Sequence, residues 1–229
     1  MKKITEKHIE QFKTKKYIKF ENVLDKKILS VAKNYYDIKF NKIKEYHVTT
    51  LSDDVVGPYN NNFYADPLSE SLLYELLPFY KKLSGKDLIP TYSFARLYKK
   101  GQFLNSHIDR PACQFSLTLC IYSNLKNPWP IFIEDEGCST SSNEAVFYKG
   151  CELNHYRNTL NEDASIVQLH LHYVDKNDDF YNKFVFDGRP GIGMPYNSVN
   201  LNERYRDYIS ENGEWLTKEL YEKKKLQSL

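Results

Sequence analysis

The chain has four cysteines, Cys113, Cys120, Cys138 and Cys151, but no Cys-x-x-Cys pair among its 229 residues. That argues against a structural zinc site, and a chain of this length needs no disulfide staples. It has no apolar run of 18 residues, so no membrane span is expected, and no stretch near the N-terminus is apolar for long enough to be a signal peptide. A reducing cytoplasm is the expected compartment. Charge of one sign is also scarce: the formal net charge is +2, too small to argue for a nucleic-acid partner. The lysines do gather near the two ends ("MKKITEKHIEQFKTKK", "EKKKL") and read as charged amphipathic tails. Internal repeats and low-complexity linkers are missing. "RPGIGMP" is a turn cluster and not a phosphate loop, because it lacks both the lysine and the strand-to-helix setting.

Aromatic residues are plentiful, with 19 tyrosines and 13 phenylalanines, which favours strands and aromatic-lined pockets. The first part of the chain has helical texture. Residues from about Thr5 to Lys15 suggest a frayed polar helix, and "KYIKFENVL" a short strand and turn. In "LDKKILSVAKNYYDI", Leu24, Ile28, Val31 and Ala32 fall on one face at helical spacing. "EYHVTTL" alternates like a strand, and "DVVGPYNNNFYADP" reads as a loop. "SESLLYELLPFYKKLSG" is expected to be a helix capped by Ser69, with Pro78 as a kink and Gly85 as the stop.

The pattern then changes. "TYSFARLY", "HIDRPACQFSLTLCIY", "WPIFIE", "EAVFYKG" and "SIVQLHLHYV" alternate like strands, separated by turn clusters such as "NLKNP" and "DEGCSTSSN". Short strands at this rhythm suggest an antiparallel sandwich or barrel of the jelly-roll kind, with the earlier helices packed on one sheet, an α+β fold. The expected division is one domain over 1–229. Its jelly-roll core covers about 91–175, its helical support about 17–90 and its C-terminal extension about 176–229, with one or two closing helices.

His107-Ile108-Asp109 enters the longest alternating segment. Residues two apart on a strand share a face, so both side chains can reach one metal ion. The spacing alone is weak, since about one such pair is expected by chance in a chain like this. His8-Ile9-Glu10 is such a decoy, in a helical stretch where residues two apart diverge. A third ligand is needed. His155 follows a strand and the Gly150 turn; His170 and His172, mid-strand, are its rivals. Two imidazoles and one carboxylate on one face of an ion leave the other face open, a set that suits non-haem Fe(II). Cys113 reads as a small buried hydrophobe, and Ser116 and Thr118 as lining the outer sheet.

In this order the segments resemble the Fe(II)/2-oxoglutarate-dependent dioxygenases, in particular the prolyl-4-hydroxylase-like branch of bacterial and phage type. "FARLYKKGQFLNSHID" is similar to that branch's Tyr-x-x-Gly-x-x-x-x-x-His-x-Asp pattern, with Tyr98, Gly101, His107 and Asp109 in place. "WPIFIEDEG", "NEAVFYKGCELNHYR" and "LHYVDKNDDFYNKFVFDGRPGIG" resemble the strands and tail that follow, so the likeness covers roughly 17–193. It implies a double-stranded β-helix with iron held by His107, Asp109 and His155. It also implies hydroxylation of a peptidyl residue, amino acid or small metabolite, coupled to conversion of 2-oxoglutarate to succinate and CO2, with ascorbate as accompanying reductant. The retained Asp109 favours hydroxylation over halogenation. One departure stands out: where the family commonly places Arg or Lys about ten residues past the distal histidine, this chain has Ser165. A buried dicarboxylate needs a cation, and the substitutes are Arg96, Arg157 and Arg110, with Tyr98 as the co-substrate tyrosine. Ser165 keeps open a cupin-like metalloenzyme that does not use 2-oxoglutarate, and a non-catalytic jelly-roll binding module with structural His and Asp is the other reading.

Overall fold

Three long strands form the centre of the architecture. In the computed structural model, which describes residues 3–42, 61–193 and 204–227, β3 (Leu88–Lys99), β5 (Phe115–Ser123) and β10 (Ser165–Asp175) lie side by side. They are extended by β8 (Glu144–Tyr148) and β1 (Tyr17–Glu21) on one side and by β2 (Asn61–Tyr64) on the other. The strand order is β1-β8-β5-β10-β3-β2, and every pairing is antiparallel. One face carries Leu117 and Leu119 of β5, Val167, Leu169 and Leu171 of β10, Ala95 and Leu97 of β3, and Phe147 of β8. Three helices cover that face: α1 (Glu6–Lys15), α2 (Lys26–Asp37) and α3 (Pro67–Ser84). Their contribution to the main core includes Phe12, Tyr36, Leu73, Leu76 and Tyr80. At about 1.5–3 kcal/mol for each fully buried large apolar side chain, this layer is the main stabilising term.

A smaller antiparallel sheet has the order β4-β9-β6-β7, from β4 (Leu104–His107), β9 (His155–Arg157), β6 (Ile131–Ile133) and β7 (Glu136–Cys138). It meets the opposite face of the large sheet. Ile131 and Ile133 pack with Val146 and Tyr148, while Trp129 and Leu160 pack with Tyr98, Cys120 and Ile166. Beyond β10 the chain forms an aromatic cluster of Phe180, Phe184 and Tyr205, with Tyr92, Tyr208, Trp215 and Tyr221 against it, and ends in α4 (Lys218–Gln227).

Local chemistry accounts for where the helices begin and end, and in places overturns the expectation. α1 is not frayed: Thr5 and His8 form a reciprocal cap, and Phe12 is buried. α3 is capped by Asp66 and not by Ser69. The Asp66 carboxylate accepts from the backbone N–H groups of Leu68 and Ser69, Pro67 occupies the first turn, and Gly85 ends the helix at φ 67°. α2 turns Ala32 and Tyr36 inward, leaving Ile28 and Val31 exposed. The Tyr36 hydroxyl donates to Asp66, which ties the rotation of α2 to the start of α3. Within the expected loop at 54–67, Asn61–Tyr64 is a strand on β3, and within the expected turn "DEGCSTSSN", Glu136–Cys138 is β7. "EYHVTTL" lies outside the described residues.

Candidate metal centre

His107 and His155 are register partners across β4 and β9, which places their rings on one side of the small sheet with centroids 4.3 Å apart. Each ring is fixed from behind. Nδ1–H of His107 donates to the carbonyl of Asn105 at 2.8 Å, and that of His155 to the carbonyl of Leu153 at 3.0 Å. With the proton on Nδ1, each Nε2 carries a lone pair, the form a metal ligand needs. Both Nε2 atoms lie 3.5 Å from Oδ1 of Asp109. Donors bound side by side to one divalent ion at ordinary ligand distances lie about 3 Å apart, so three such atoms fit one ion with little movement.

Asp109 sits just past the end of β4, and its N–H donates to the carbonyl of Gly150 at 2.9 Å. Gly150 is required there: a Cβ would overlap Asp109 Oδ2 and stand 2.5 Å from the carbonyl oxygen of Cys113. Burial pushes the Asp109 pKa up, but His155 and His107 outweigh it and hold the carboxyl well below its usual range. For His155, burial pulls the pKa down and Asp109 more than reverses it. The field that favours a proton between these groups also favours a divalent cation.

The inner face of the large sheet is polar beside this cluster. Arg96 and Tyr98 share that face of β3, and Arg96 Nη1 donates to the Tyr98 hydroxyl at 2.9 Å while Nε donates to Asn62 at 3.0 Å. Arg157 comes from β9, two residues past His155, and is 2 % exposed. Its Nη1 donates to the carbonyl of Trp129, but among the described residues Nε and Nη2 have no partner, and neither has Nε2 of His170 on β10. Burial lowers the Arg157 pKa, though a guanidinium stays charged. Among the described residues no carboxylate pairs with Arg96 or Arg157. Such a wall can accept an anionic group at little further cost, since each unmet buried N–H already costs about 1–3 kcal/mol.

No protein-family model matches the chain, and no curated protein matches it. Solved structures do. A prolyl-4-hydroxylase from Pseudomonas putida superposes with a TM-score of 0.54 at 12 % identity, over 72 % of this chain and 97 % of that one. HygX from Streptomyces hygroscopicus, solved with nickel and 2-oxoglutarate bound, gives 0.59 at 9 % identity over 76 % and 88 %. SnoK, a non-haem α-ketoglutarate-dependent carbocyclase from nogalamycin biosynthesis, gives 0.64 at 12 % identity over 95 % of both chains.

The fold is that of the 2-oxoglutarate/Fe(II) oxygenases.

Within this oxygenase fold the expected residues divide clearly. His107, Asp109 and His155 come together as a possible triad of ligands. Tyr98, Arg96 and Arg157 converge, with the Cζ atoms of Arg96 and Arg157 at 5.2 and 5.9 Å from the Tyr98 ring. His8 stays in its helix cap, its ring edge-on to Phe20. Arg110 turns away from this wall and forks onto Asp187, with both nitrogens at 2.8 Å. Ser116 and Thr118 do not line the outer sheet; both are fully buried on the polar inner face. His172, expected only as a rival third ligand, lies close behind Asp109. Asp109, Cys113 and His172 form a second group of ligand-type atoms within 4.8 Å of one another. The signal was present in "QLHLHYV": with Leu169 and Leu171 facing the helices, His170 and His172 must face the site.

Proposed function

We propose that this protein is an Fe(II)- and 2-oxoglutarate-dependent oxygenase that hydroxylates an organic substrate. The substrate is a peptidyl residue, an amino acid or a small metabolite, and succinate and CO2 are released. In this reading the two sheets are the halves of a double-stranded β-helix, and His107, Asp109 and His155 hold the metal. The single observation that carries it is the pairing of this triad with the buried, half-partnered guanidinium of Arg157 two residues past His155. Bound iron supplies the redox chemistry with dioxygen and 2-oxoglutarate.

The side chains then have separate tasks. Arg157 takes the far carboxylate of 2-oxoglutarate, in place of the cation absent at Ser165. Nε and Nη2 are the free donors, and a guanidinium offers them as a fork matched to two carboxylate oxygens. The Tyr98 hydroxyl, oriented by Arg96, is the neighbouring donor. Trp129, Leu160 and Ile166 pack around Tyr98 and keep water from that end. The neighbouring structures support a 2-oxoglutarate-binding fold, and HygX has been solved with nickel and 2-oxoglutarate bound. Among the described residues no helix is long and apolar enough to cross a membrane, and all four cysteines are free, which fits a reducing compartment such as the cytoplasm.

The test is anaerobic addition of Fe(II), 2-oxoglutarate and ascorbate, followed by visible absorption. An oxygenase shows the weak charge-transfer band of the chelated co-substrate and releases succinate when air is admitted. A cupin-like metalloenzyme binds the metal without the band, and a binding module takes up neither.

A further inference from the structure

We propose that Ser116 and His172 are positioning residues that determine which oxygen of Asp109 is presented to the metal. This rests on the reading of His107, Asp109 and His155 as ligands. Oδ1 of Asp109 faces the two Nε2 atoms, while Oδ2 faces the Ser116 hydroxyl at 3.0 Å. The same hydroxyl lies 2.8 Å from Nδ1 of His172 and 3.1 Å from the carbonyl oxygen of Cys113. A serine hydroxyl has one proton and two lone pairs. Of the three acceptors the proton could take, the Asp109 carboxylate, the Cys113 carbonyl and an unprotonated His172 Nδ1, the carboxylate makes the strongest, charge-assisted bond. His172 Nδ1–H then donates into a lone pair of the hydroxyl, giving the order His172 to Ser116 to Asp109.

The fold holds this relay from both ends. Ser116 and His172 are directly opposed in register across β5 and β10. The His172 ring lies against Tyr92 with centroids 4.6 Å apart, and the Tyr92 hydroxyl contacts Cys113 Sγ at 3.1 Å. Gly150 closes the other side of Oδ2, where no side chain fits. Asp109 and His172 are therefore close because both reach one hydroxyl, to which Cys113 turns its carbonyl oxygen while its Sγ meets Tyr92, and this second group is a support for Asp109. It is not an ion site of its own. With Oδ2 engaged by Ser116, Asp109 binds through Oδ1 alone and leaves the opposite face of the ion to exchangeable ligands.

Co(II) binding tests this by equilibrium dialysis and visible absorption, on the wild type and on Ser116→Ala, Ser116→Thr, His172→Asn and Cys113→Ala. The wild type should bind one equivalent. Ser116→Ala should bind about 10- to 100-fold more weakly, the scale for outer-shell partners of a metal ligand, with a shifted Co(II) spectrum as the carboxylate becomes free to chelate. Ser116→Thr, which keeps the hydroxyl, should recover most of the affinity. His172→Asn should lie between the wild type and Ser116→Ala, and Cys113→Ala, which keeps the backbone carbonyl, should still bind one equivalent and more tightly than Ser116→Ala. Unchanged affinity and spectrum in both Ser116→Ala and His172→Asn would overturn the relay while leaving the triad intact. So would two equivalents of Co(II) with an intense sulfur charge-transfer band lost in Cys113→Ala. Failure of the wild type to bind any Co(II) would overturn the triad itself, and the relay with it.

Discussion

Trp129 holds Arg157 twice: its carbonyl oxygen accepts from Nη1 at 3.0 Å, and its ring lies 4.7 Å from the guanidinium carbon. One edge of the guanidinium is thereby committed to the protein, and among the described residues the other has no partner. Arg157→Met should weaken 2-oxoglutarate binding by about 10- to 100-fold, the value of a hydrogen-bonded charge. Stability without co-substrate should stay level or rise, because a buried, half-satisfied charge is removed. Isothermal titration with 2-oxoglutarate and urea unfolding measure the two quantities. A larger loss in Arg96→Met than in Arg157→Met would move the role to Arg96.

Metal should stabilise the fold through the triad. A ligand that binds only the native state adds about 2.7 kcal/mol at 100 times its dissociation constant. Ni(II) should therefore raise the melting temperature of the wild type by several degrees. It should leave His155→Ala and Asp109→Ala unmoved, while His8→Ala behaves as wild type. Differential scanning fluorimetry with and without a chelator reads this directly.

Gly150→Ala introduces a methyl group against Asp109, the Cys113 carbonyl and Ser116 Oγ, the last at 2.9 Å. Overpacking of this kind costs about 1–3 kcal/mol. Because the methyl pushes on Asp109 itself, metal affinity should fall with stability. Denaturation midpoints combined with a metal titration would show both changes, and a loss of stability with full metal affinity would count against the close approach.

Acid should destabilise the metal-free protein through His172. Burial lowers its pKa to about 4, against an ordinary 6.5, with Asp109 opposing the shift. Between those values the unfolded chain takes up a proton and the native state does not, so stability falls as the pH drops from 6.5 to 4. The contribution is up to about 3 kcal/mol. His170, depressed in the same direction by burial, is present in both proteins of the comparison. Urea midpoints at pH 7 and pH 4.5 should therefore converge more closely for His172→Asn than for wild type.

Much of this was legible in the residues. The alternation of β3 and β10 and the spacing of His107 and Asp109 are local patterns that survive folding. β5 was harder, because Phe115–Ile121 is buried on both faces and its periodicity does not tell which side meets the helices. For that reason the residues alone do not tell that Ser116 and Thr118 face the small sheet. β7 and β9 have three residues each, too few for a period. The partner of Arg110 was out of reach for another reason. Asp187 lies 77 positions away, in a stretch where Phe186 and Asp187 take left-handed φ values of 52° and 53°. Only the assembled fold brings that carboxylate, which also accepts from Tyr64, against the residue next to Asp109.

The carbonyl groups behind His107 and His155 belong to residues two positions earlier in the chain, Asn105 within β4 and Leu153 just before β9. Each ring is therefore braced by its own short loop of chain, and the bracing is complete once β4 and β9 have paired. An ion entering the proposed triad would find its seat already cut and meet little ordering entropy on entry. Exchange of one metal for another would then be a matter of shedding water, with no need for the polypeptide to refold.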